Sequence, residues 1–378
     1  MALNSSYPPE SSMYTSSCDE SKEETQNDMS TVIDYKKGVK HFIETAPDMK
    51  KLPPDFVLPL SANPFSVSYA EIPVIDLSRL AESSESRIST VKAISSACEL
   101  WGFFRIVNHG IDMGVIEEML KVAEEFFDLS LMEKMKYSSE DVMNPVRYGT
   151  SLNTSKKHSL HWRDYFRHYG HPFHHTFHLW PLNPPNYRNV AKEYLEHIWE
   201  LAMKIGSAIS EGLGLDNGYI KKSFGEGFQI LAANYYPPCP EPEKTLGLAA
   251  HSDHGALTIL MQNCVNGLQV KHNDQWVAVD HVPGTFVVNI GDYLEILSNG
   301  KYKSVEHRAT VNAQKTRISV AVGHGPELSN VIGPATQLVD PTDEIQYQPI
   351  VYKDYIRLQQ TTTIRGKSAL QAVRTTSK

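Results

Sequence analysis

The chain has 378 residues and a formal net charge of −8. This acidic balance gives no electrostatic indication of binding to nucleic acid or to an anionic membrane. No run of about 18 apolar residues is present, so no membrane-spanning helix is predicted. The four cysteines are scattered without zinc-type spacing, which is typical of a protein in a reducing compartment.

Residues 1–34 are predicted to form a disordered tail, because the segment is rich in Ser, Thr and acidic residues. It has neither the apolar core of a secretory signal nor the Arg-rich, acid-poor composition of an organelle transit peptide. We therefore expect a cytoplasmic protein. A second tail is predicted at residues 366–378.

Residues 35–220 are predicted to form a mixed region of helices with a few strands. Asp112 is a candidate N-cap for a helix with apolar residues at three-four spacing. These residues are Ile116, Met119, Leu120, Ala123 and Phe127. A second helix is predicted through Ile198 and Ile209, ending near Gly212 and Gly214. Both apolar stripes indicate packing against a sheet.

A histidine-rich tract, HYGHPFHHTFH, lies between the two predicted helices. Its histidines are His168, His171, His174, His175 and His178. His-rich tracts can bind metal, but this spacing is irregular and the segment contains a proline. We therefore expect surface histidines in a loop.

Residues 221–365 are predicted to form a double-stranded β-helix (a jelly roll) that ends in a helix, so the fold class is mainly β with flanking helices. From about residue 228, short apolar segments alternate with Pro, Gly, Asn and Asp, which is typical of a sandwich or barrel. The segment GLQVKHNDQWVAV predicts a hairpin with Asn273 and Asp274 near its turn.

Two histidines and an aspartate in this region form a candidate metal site. His251 and Asp253 are two residues apart, so their side chains would leave the same face of a strand. His307 follows 54 residues after Asp253 and would come from a strand that is distant in sequence. Two imidazoles and one carboxylate are the facial ligand set of non-haem iron oxygenases. His254 would leave the opposite face, so we do not expect it to bind the metal.

An Arg-x-Ser pair follows ten residues after His307. Arg317 and Ser319 would share one face of the strand RISVAVG. A planar guanidinium beside a hydroxyl is well suited to binding a carboxylate.

With these motifs the chain resembles the plant 2-oxoglutarate- and Fe(II)-dependent dioxygenases, which are an isopenicillin N synthase-like family. The resemblance is to the branch of this family that acts in specialised metabolism. The resemblance covers roughly residues 35–365. It rests on IPVIDLSRL, ACELWGFFRIVNHGI, WRDYFRHY, NYYPPCPEP, HSDHGALTIL, GLQV, VVNIGDYLEILSNGKYKSVEHR and RISVAV, in the family's order.

The resemblance implies a set of site residues and cofactors. His251, Asp253 and His307 would hold Fe(II), and Arg317 and Ser319 would bind the distal carboxylate of 2-oxoglutarate. Asn234 and Tyr236 match further positions that contact this cosubstrate. Dioxygen would be the oxidant, succinate and CO2 would be released, and ascorbate would support activity.

The resemblance also implies a small-molecule substrate and, we expect, a monomer. Hydroxylation, desaturation and O-demethylation of a phenolic, terpenoid or alkaloid are all compatible with it. Tyr148 aligns loosely with a substrate-facing segment, with packing as an equal alternative.

Three positions depart from the flavonoid oxidases of the family. Ala232 stands where they have a basic residue, Gly325 follows Arg-x-Ser where they have an acidic one, and Gly323 replaces a bulkier residue. These departures favour a less polar substrate, although a flavonoid oxidase remains the alternative.

Two other protein classes fit the sequence less well. A zinc hydrolase would not need Arg317 and Ser319, and the chain has no His-Glu-x-x-His helix. A non-catalytic jelly-roll binding protein would tolerate loss of the ligand residues, yet every one of them is present. An oxidase branch of the family that uses ascorbate also keeps Arg-x-Ser, so the dependence on 2-oxoglutarate is an expectation that the motif does not prove.

Overall fold

A computed structural model of the chain describes residues 37–59, 67–68, 70–151, 160–339, 344–361 and 366–375. The predicted amino-terminal tail, residues 1–34, lies outside these ranges. The α-helices in the described part are α1 (Val39–Thr45), α2 (Ser84–Leu100), α3 (Met113–Asp128), α4 (Leu131–Met135), α5 (Phe173–Thr176), α6 (Tyr187–Gly212), α7 (Tyr219–Phe224), α8 (Asp292–Leu297), α9 (Tyr352–Thr361) and α10 (Ser368–Ala372).

The strands form two large sheets and one short pair. In chain order they are β1 (Val67–Ser68), β2 (Val74–Asp76), β3 (Phe103–Val107), β4 (Val146–Gly149), β5 (Asp164–Tyr169), β6 (Phe228–Tyr236), β7 (Leu248–His251), β8 (Leu257–Gln262), β9 (Leu268–His272), β10 (Gln275–Val279), β11 (Phe286–Ile290), β12 (His307–Ala309), β13 (Arg317–Gly325), β14 (Val331–Ile332) and β15 (Ile350–Val351). The larger sheet has the order β2-β3-β11-β8-β13-β6-β5-β4, and the smaller has the order β1-β10-β9-β12-β7.

The two sheets face each other, as the predicted jelly roll requires. Phe103 of the larger sheet packs in one buried cluster with Leu268, Val270 and Val279 of the smaller sheet. On its other face the larger sheet is covered by α3 and α6, which pack against β13. This arrangement confirms a mainly β fold with flanking helices.

Both predicted helices are confirmed. The Asp112 carboxylate accepts a hydrogen bond from the Gly114 N–H at 2.7 Å, so it caps the first turn of α3. The second helix, α6, ends at Gly212, and Gly214 then adopts a φ of +77°. A residue with a side chain disfavours that conformation, which explains where the helix stops.

The predicted hairpin is also confirmed. β9 and β10 pair antiparallel, with His272 opposite Gln275. The two turn residues, Asn273 and Asp274, have φ values of 48° and 58°. Two successive positive φ angles make the tight turn whose twist matches the strands it joins.

The predicted division of the chain near residue 220 does not separate two layers of the structure. β2, β3, β4 and β5 all come from the region before residue 220 and are part of the eight-stranded sheet. The predicted carboxy-terminal tail was wrong for residues 366–375. They include α10, Leu370 is fully buried, and Gly366 forms a bridge with His251. No helix of the described ranges is long and apolar enough to cross a membrane.

Candidate active site

His251, Asp253 and His307 come together between the two sheets, although they are far apart in sequence. His251 is the last residue of β7 and His307 is the first residue of β12, and the two pair directly across these antiparallel strands. Their rings lie 4.2 Å apart. The sequence analysis expected Asp253 to lie on the same strand as His251. In the structure it lies two residues beyond the end of β7.

Each of the three side chains has one ligating atom left for a common centre. The Nδ1 atoms of His251 and His307 lie 2.9 and 3.3 Å from the carbonyls of Ala249 and Val305. An Nδ1–H that donates to a carbonyl leaves the Nε2 lone pair free to bind a metal. Both Nε2 atoms lie 3.7 Å from Asp253 Oδ1, which is too far for a good hydrogen bond.

The second oxygen of Asp253 is held by two neutral donors. Thr258 Oγ1 donates to Asp253 Oδ2 at 2.6 Å, and Asn289 Nδ2 donates to the same atom at 2.8 Å. These bonds fix the carboxylate plane and direct Oδ1 towards the two imidazoles. Supporting contacts of this kind orient metal ligands in proteins.

The electrostatics give His251 and Asp253 the protonation states of metal ligands. Burial, together with the neighbouring His307, lowers the pKa of His251 to about 3. Burial opposes ionisation of Asp253, but the two imidazoles and the two hydrogen bonds outweigh it, so the pKa of Asp253 is lowered. At neutral pH His251 is a neutral base and Asp253 is an anion. This donor set fits a ferrous ion.

A buried carboxylate that the sequence analysis missed connects the two segments that supply the ligands. Asp292 accepts hydrogen bonds from Ser252 at 3.1 Å and from Ser304 at 2.7 Å, through their side-chain hydroxyls. Tyr355 of α9 donates to it at 2.7 Å. Burial raises the pKa of Asp292 to about 6. Asp292 thus holds the segment with His251 and Asp253 next to the segment with His307.

The four residues expected to bind the cosubstrate form two cross-strand pairs. Arg317 lies opposite Tyr236, and Ser319 lies opposite Asn234, in the antiparallel pairing of β13 with β6. All four line the same cavity as the ligand cluster. The expectation that Arg317 and Ser319 share one strand face is therefore confirmed.

Arg317 has free donors inside this cavity. Its side chain is 2% exposed, and its Nη2 donates to Gln262 Oε1 at 2.6 Å. Its Nε and Nη1 have no hydrogen-bond partner in the structure, and the guanidinium lies 4.9 Å from the centre of the Tyr236 ring. Because buried guanidinium donors without a hydrogen-bond partner are costly, we expect an anionic ligand to bind these two nitrogen atoms.

The cavity has a volume of about 180 Å³ and is more basic than the sequence indicated. Besides Arg317, it is lined by Arg163, Arg167 and Arg308, and none of these three was identified from the sequence. Arg163 Nη1 donates to Asn234 Oδ1 at 2.6 Å. The WRDYFRHY motif contains both Arg163 and Arg167, so the signal was present in the sequence.

The inference of a less polar pocket from Ala232 is not supported by this lining. Ala232 faces the cavity, but Arg167 of β5 lies directly opposite it and lines the same cavity. A basic group on the neighbouring strand thus compensates for the missing basic side chain. Gly323 also lines the cavity and leaves space there.

Gly325 has a structural role instead of marking a lost substrate contact. A Cβ at this position would clash with the hydroxyl oxygen of Tyr352. That hydroxyl is 2.8 Å from His254 Nδ1. His254 is therefore bound to Tyr352 and is not part of the ligand cluster, in agreement with the expectation.

Tyr148 does not line the cavity. It is 1% exposed, its ring packs near Phe126, and its hydroxyl donates to Asp164 at 3.3 Å. Of the two alternatives stated for Tyr148, the structure supports packing in the core. The substrate-facing alternative was wrong, because this residue of β4 points towards the helices.

The histidine-rich tract divides into a buried part and an exposed part. His174, His175 and His178 are exposed, as expected, and the first two lie near Glu226. For His168 the expectation was wrong, because it lies on β5 and is fully buried. Its Nε2 is 2.9 Å from the Tyr187 hydroxyl and its Nδ1 is 3.0 Å from the Tyr169 carbonyl.

The buried His168 predicts acid sensitivity. Burial lowers the pKa of His168 from 6.5 to about 4. The contribution of neutral His168 to folding stability is therefore complete above pH 6.5 and is lost as the pH falls towards about 4. The unfolded state binds the proton first, and the free energy of unfolding therefore falls on acidification. Thermal denaturation across this range should show a smaller pH dependence for His168→Gln than for the wild type. Exposed His178→Gln is the control, and an unchanged slope in His168→Gln would contradict the prediction.

Comparison with known proteins agrees with this geometry. Residues 227–326 match the family model described as the 2OG-Fe(II) oxygenase superfamily. Residues 72–187 match the model described as the non-haem dioxygenase in morphine synthesis N-terminal region. Protein DOWNY MILDEW RESISTANCE 6 of Arabidopsis thaliana is 45% identical over 308 residues, which cover 80% of this chain and 88% of the relative.

Two further relatives extend the comparison. Flavanone 3-dioxygenase 2 of Oryza sativa subsp. japonica is 44% identical over 310 residues, covering 81% of this chain and 89% of the relative. The crystal structure of JOX2 in complex with 2OG, Fe and JA has a TM-score of 0.81 at 36% identity, covering 89% of this chain and 97% of that chain. The chain belongs to the 2OG-Fe(II) oxygenase superfamily and is a 2-oxoglutarate-dependent dioxygenase that uses Fe(II), 2-oxoglutarate and dioxygen.

Proposed function

We propose that His251, Asp253 and His307 hold the ferrous ion and that Arg317, with Ser319, binds 2-oxoglutarate. One observation carries this assignment. Three ligand atoms converge in a cavity that also contains the unpartnered Nε and Nη1 of a buried Arg317. Asn234 and Tyr236, as the cross-strand partners of Ser319 and Arg317, complete the cosubstrate site.

When bound, the ferrous ion supplies the oxidation of a substrate carbon by dioxygen, coupled to decarboxylation of 2-oxoglutarate to succinate and CO2. The side chains of this chain bind and orient. Arg317 offers a planar fork to the distal carboxylate, which determines the end of the cosubstrate that faces the ligand cluster. Asn234 is itself held by Arg163, so its amide has one defined orientation. Burial of Arg317 excludes water from this contact and strengthens it.

The substrate that we propose is a small plant specialised metabolite, such as a phenolic, terpenoid or alkaloid. Hydroxylation, desaturation and O-demethylation all remain within this proposal. The similarity to flavanone 3-dioxygenase 2 supports the alternative of a flavonoid-type oxidase. Ala232 does not decide between the two, since Arg167 supplies a basic group beside it in the same cavity.

The assignment is tested by measuring succinate release with and without 2-oxoglutarate while a plant metabolite extract is screened for consumed compounds. We expect succinate only when ferrous iron and 2-oxoglutarate are both present, and at least one metabolite to be depleted in step with it. Ascorbate, which we propose as a supportive reductant, should increase the yield without replacing 2-oxoglutarate. Succinate formation that is independent of 2-oxoglutarate would contradict the proposal.

We further propose that the enzyme acts as a cytoplasmic monomer that binds neither nucleic acid nor membranes. The net charge of −8 supports the absence of both kinds of partner. Sedimentation of the purified protein would test the monomer directly, and a dimer mass would contradict it.

A further inference from the structure

Three buried arginines lie side by side on the edge of the larger sheet. Arg147 of β4 pairs directly with Arg167 of β5, and Arg163 precedes β5. They are 6%, 6% and 3% exposed, in that order. Among the described residues, none of the three lies within ion-pair distance of a carboxylate. Within the described ranges, the sheet thus places three positive charges together without an ion-pair partner.

Two of these arginines face the cavity of the proposed active site. Arg163 and Arg167 line it, whereas Arg147 does not. Arg167 donates from Nη2 to the Val142 carbonyl, and its Nε has no partner in the structure. Arg163 likewise has an unpartnered Nε besides its bond to Asn234. Both guanidinium groups therefore have donor capacity that the protein does not use.

The charges that line the cavity do not balance. Asp253 is the only carboxylate in the lining of the described cavity, and it belongs to the proposed metal cluster. Arg317 is assigned to 2-oxoglutarate. Arg308 donates to Gln269 and lies over the Trp276 ring at 4.0 Å. This leaves Arg163 and Arg167, which stay charged because a guanidinium is not deprotonated in proteins.

The position of Arg167 separates it from the cosubstrate site. It lies opposite Ala232, which in turn lies opposite Ala321, whereas Arg317 lies opposite Tyr236. Ala232 and Tyr236 are four residues apart on β6, which corresponds to about 13 Å of strand. The strand positions of the two arginines are thus farther apart than a five-carbon diacid extends, which favours separate ligands for Arg167 and Arg317.

We propose that Arg167, supported by Arg163, binds a carboxylate of the molecule that is oxidised. The substrate is therefore a small organic acid and not a neutral metabolite. This inference rests on the proposed function and narrows its substrate class. Tyr165, between the two arginines on the same face of β5, lines the cavity and has the Arg163 guanidinium 5.2 Å from its ring centre. It offers an apolar surface to the carbon skeleton beside the acid group.

Calorimetric titration of the anaerobic enzyme, loaded with ferrous iron and 2-oxoglutarate, tests this proposal without turnover. The probes are cinnamate, indole-3-acetate and decanoate, each compared with its methyl ester. At least one acid should bind the wild type on the order of 30-fold more tightly than its ester, since truncating one partner of a buried charge pair costs that factor or more. Arg167→Gln should remove this preference, and Arg167→Lys should keep part of it.

Arg147→Gln is the matched control, because Arg147 is the equally buried cross-strand neighbour that does not line the cavity. It should keep the preference for the acid. Substrate-free succinate release by Arg147→Gln should equal that of the wild type, which shows that loss of a buried arginine at this sheet edge leaves the fold, the iron site and the cosubstrate site intact. A wild type that fails to bind iron or 2-oxoglutarate would overturn the proposed function instead.

Three results would overturn the inference itself. The first is that no acid binds the wild type at millimolar concentration. The second is that esters bind as tightly as acids, and the third is that Arg147→Gln loses the preference to the same extent as Arg167→Gln.

Discussion

Replacing His251, Asp253 or His307 with alanine is expected to abolish both iron binding and succinate production. Each residue supplies one of the three ligand atoms. The Nδ1 atoms of the two histidines and Oδ2 of Asp253 are held by hydrogen bonds to other groups, so the two remaining residues cannot supply the lost ligand atom. The loss should exceed the roughly 10- to 100-fold in affinity that removal of a supporting hydrogen bond costs. Bound iron is measured after desalting, together with succinate at saturating ferrous iron.

His254→Gln is the matched control for this prediction. His254 is a half-buried neighbour of Asp253 whose ring is bound to Tyr352, so iron binding should persist in this variant. Circular dichroism of all four variants shows whether the fold is intact. Near-normal iron content in any one of the three alanine variants would overturn the metal assignment.

Arg317→Ala is expected to raise the concentration of 2-oxoglutarate required for half-maximal succinate production steeply. The guanidinium is 2% exposed, so the pair that it forms with a carboxylate is shielded from solvent. Truncating one member of such a pair costs roughly 2–5 kcal/mol, or about 30- to several-thousand-fold in affinity. Iron affinity should change little, because Arg317 does not contact the ligand cluster through any hydrogen bond of the described structure.

Two further variants separate charge from geometry at this position. Arg317→Lys should recover only part of the affinity, since an ammonium keeps the charge and loses the planar fork. Ser319→Ala should have a smaller effect, because it removes a hydrogen bond and no charge. The measurement is a 2-oxoglutarate titration of succinate release. A midpoint in Arg317→Ala that equals the wild-type midpoint would mean that the cosubstrate binds elsewhere.

The residues that sequence analysis located correctly are those whose spacing is local. The alternation of a strand places Arg317 and Ser319 on one face without any knowledge of the fold. The hairpin at Asn273 and Asp274 and the cap at Asp112 are likewise decided within a few residues. The motif order then indicated the family, and with it the expectation that His307 joins His251 and Asp253 in one metal site.

The features that the sequence did not reveal depend on pairing between distant strands. Arg167 compensates for Ala232 only because β5 and β6 pair in one particular register. Tyr148 and His168 are polar side chains in strands, and their local sequence does not show which face the helices will cover. Asp292 becomes important only when Ser252 and Ser304 are brought to it. None of these relationships has a periodic signal along the chain.

The alternation along β5 has an evolutionary consequence. Asp164 and His168 point into the protein, where the first accepts hydrogen bonds from the backbone N–H groups of Val39 and Lys40 and the second binds Tyr187. Tyr165 and Arg167 point into the cavity. Mutations at these two positions can therefore change the molecule that a duplicated gene product accepts while folding is preserved. Mutations at the intervening positions would be removed by selection before any new specificity arose, so divergence among paralogues should be concentrated on one side of this strand.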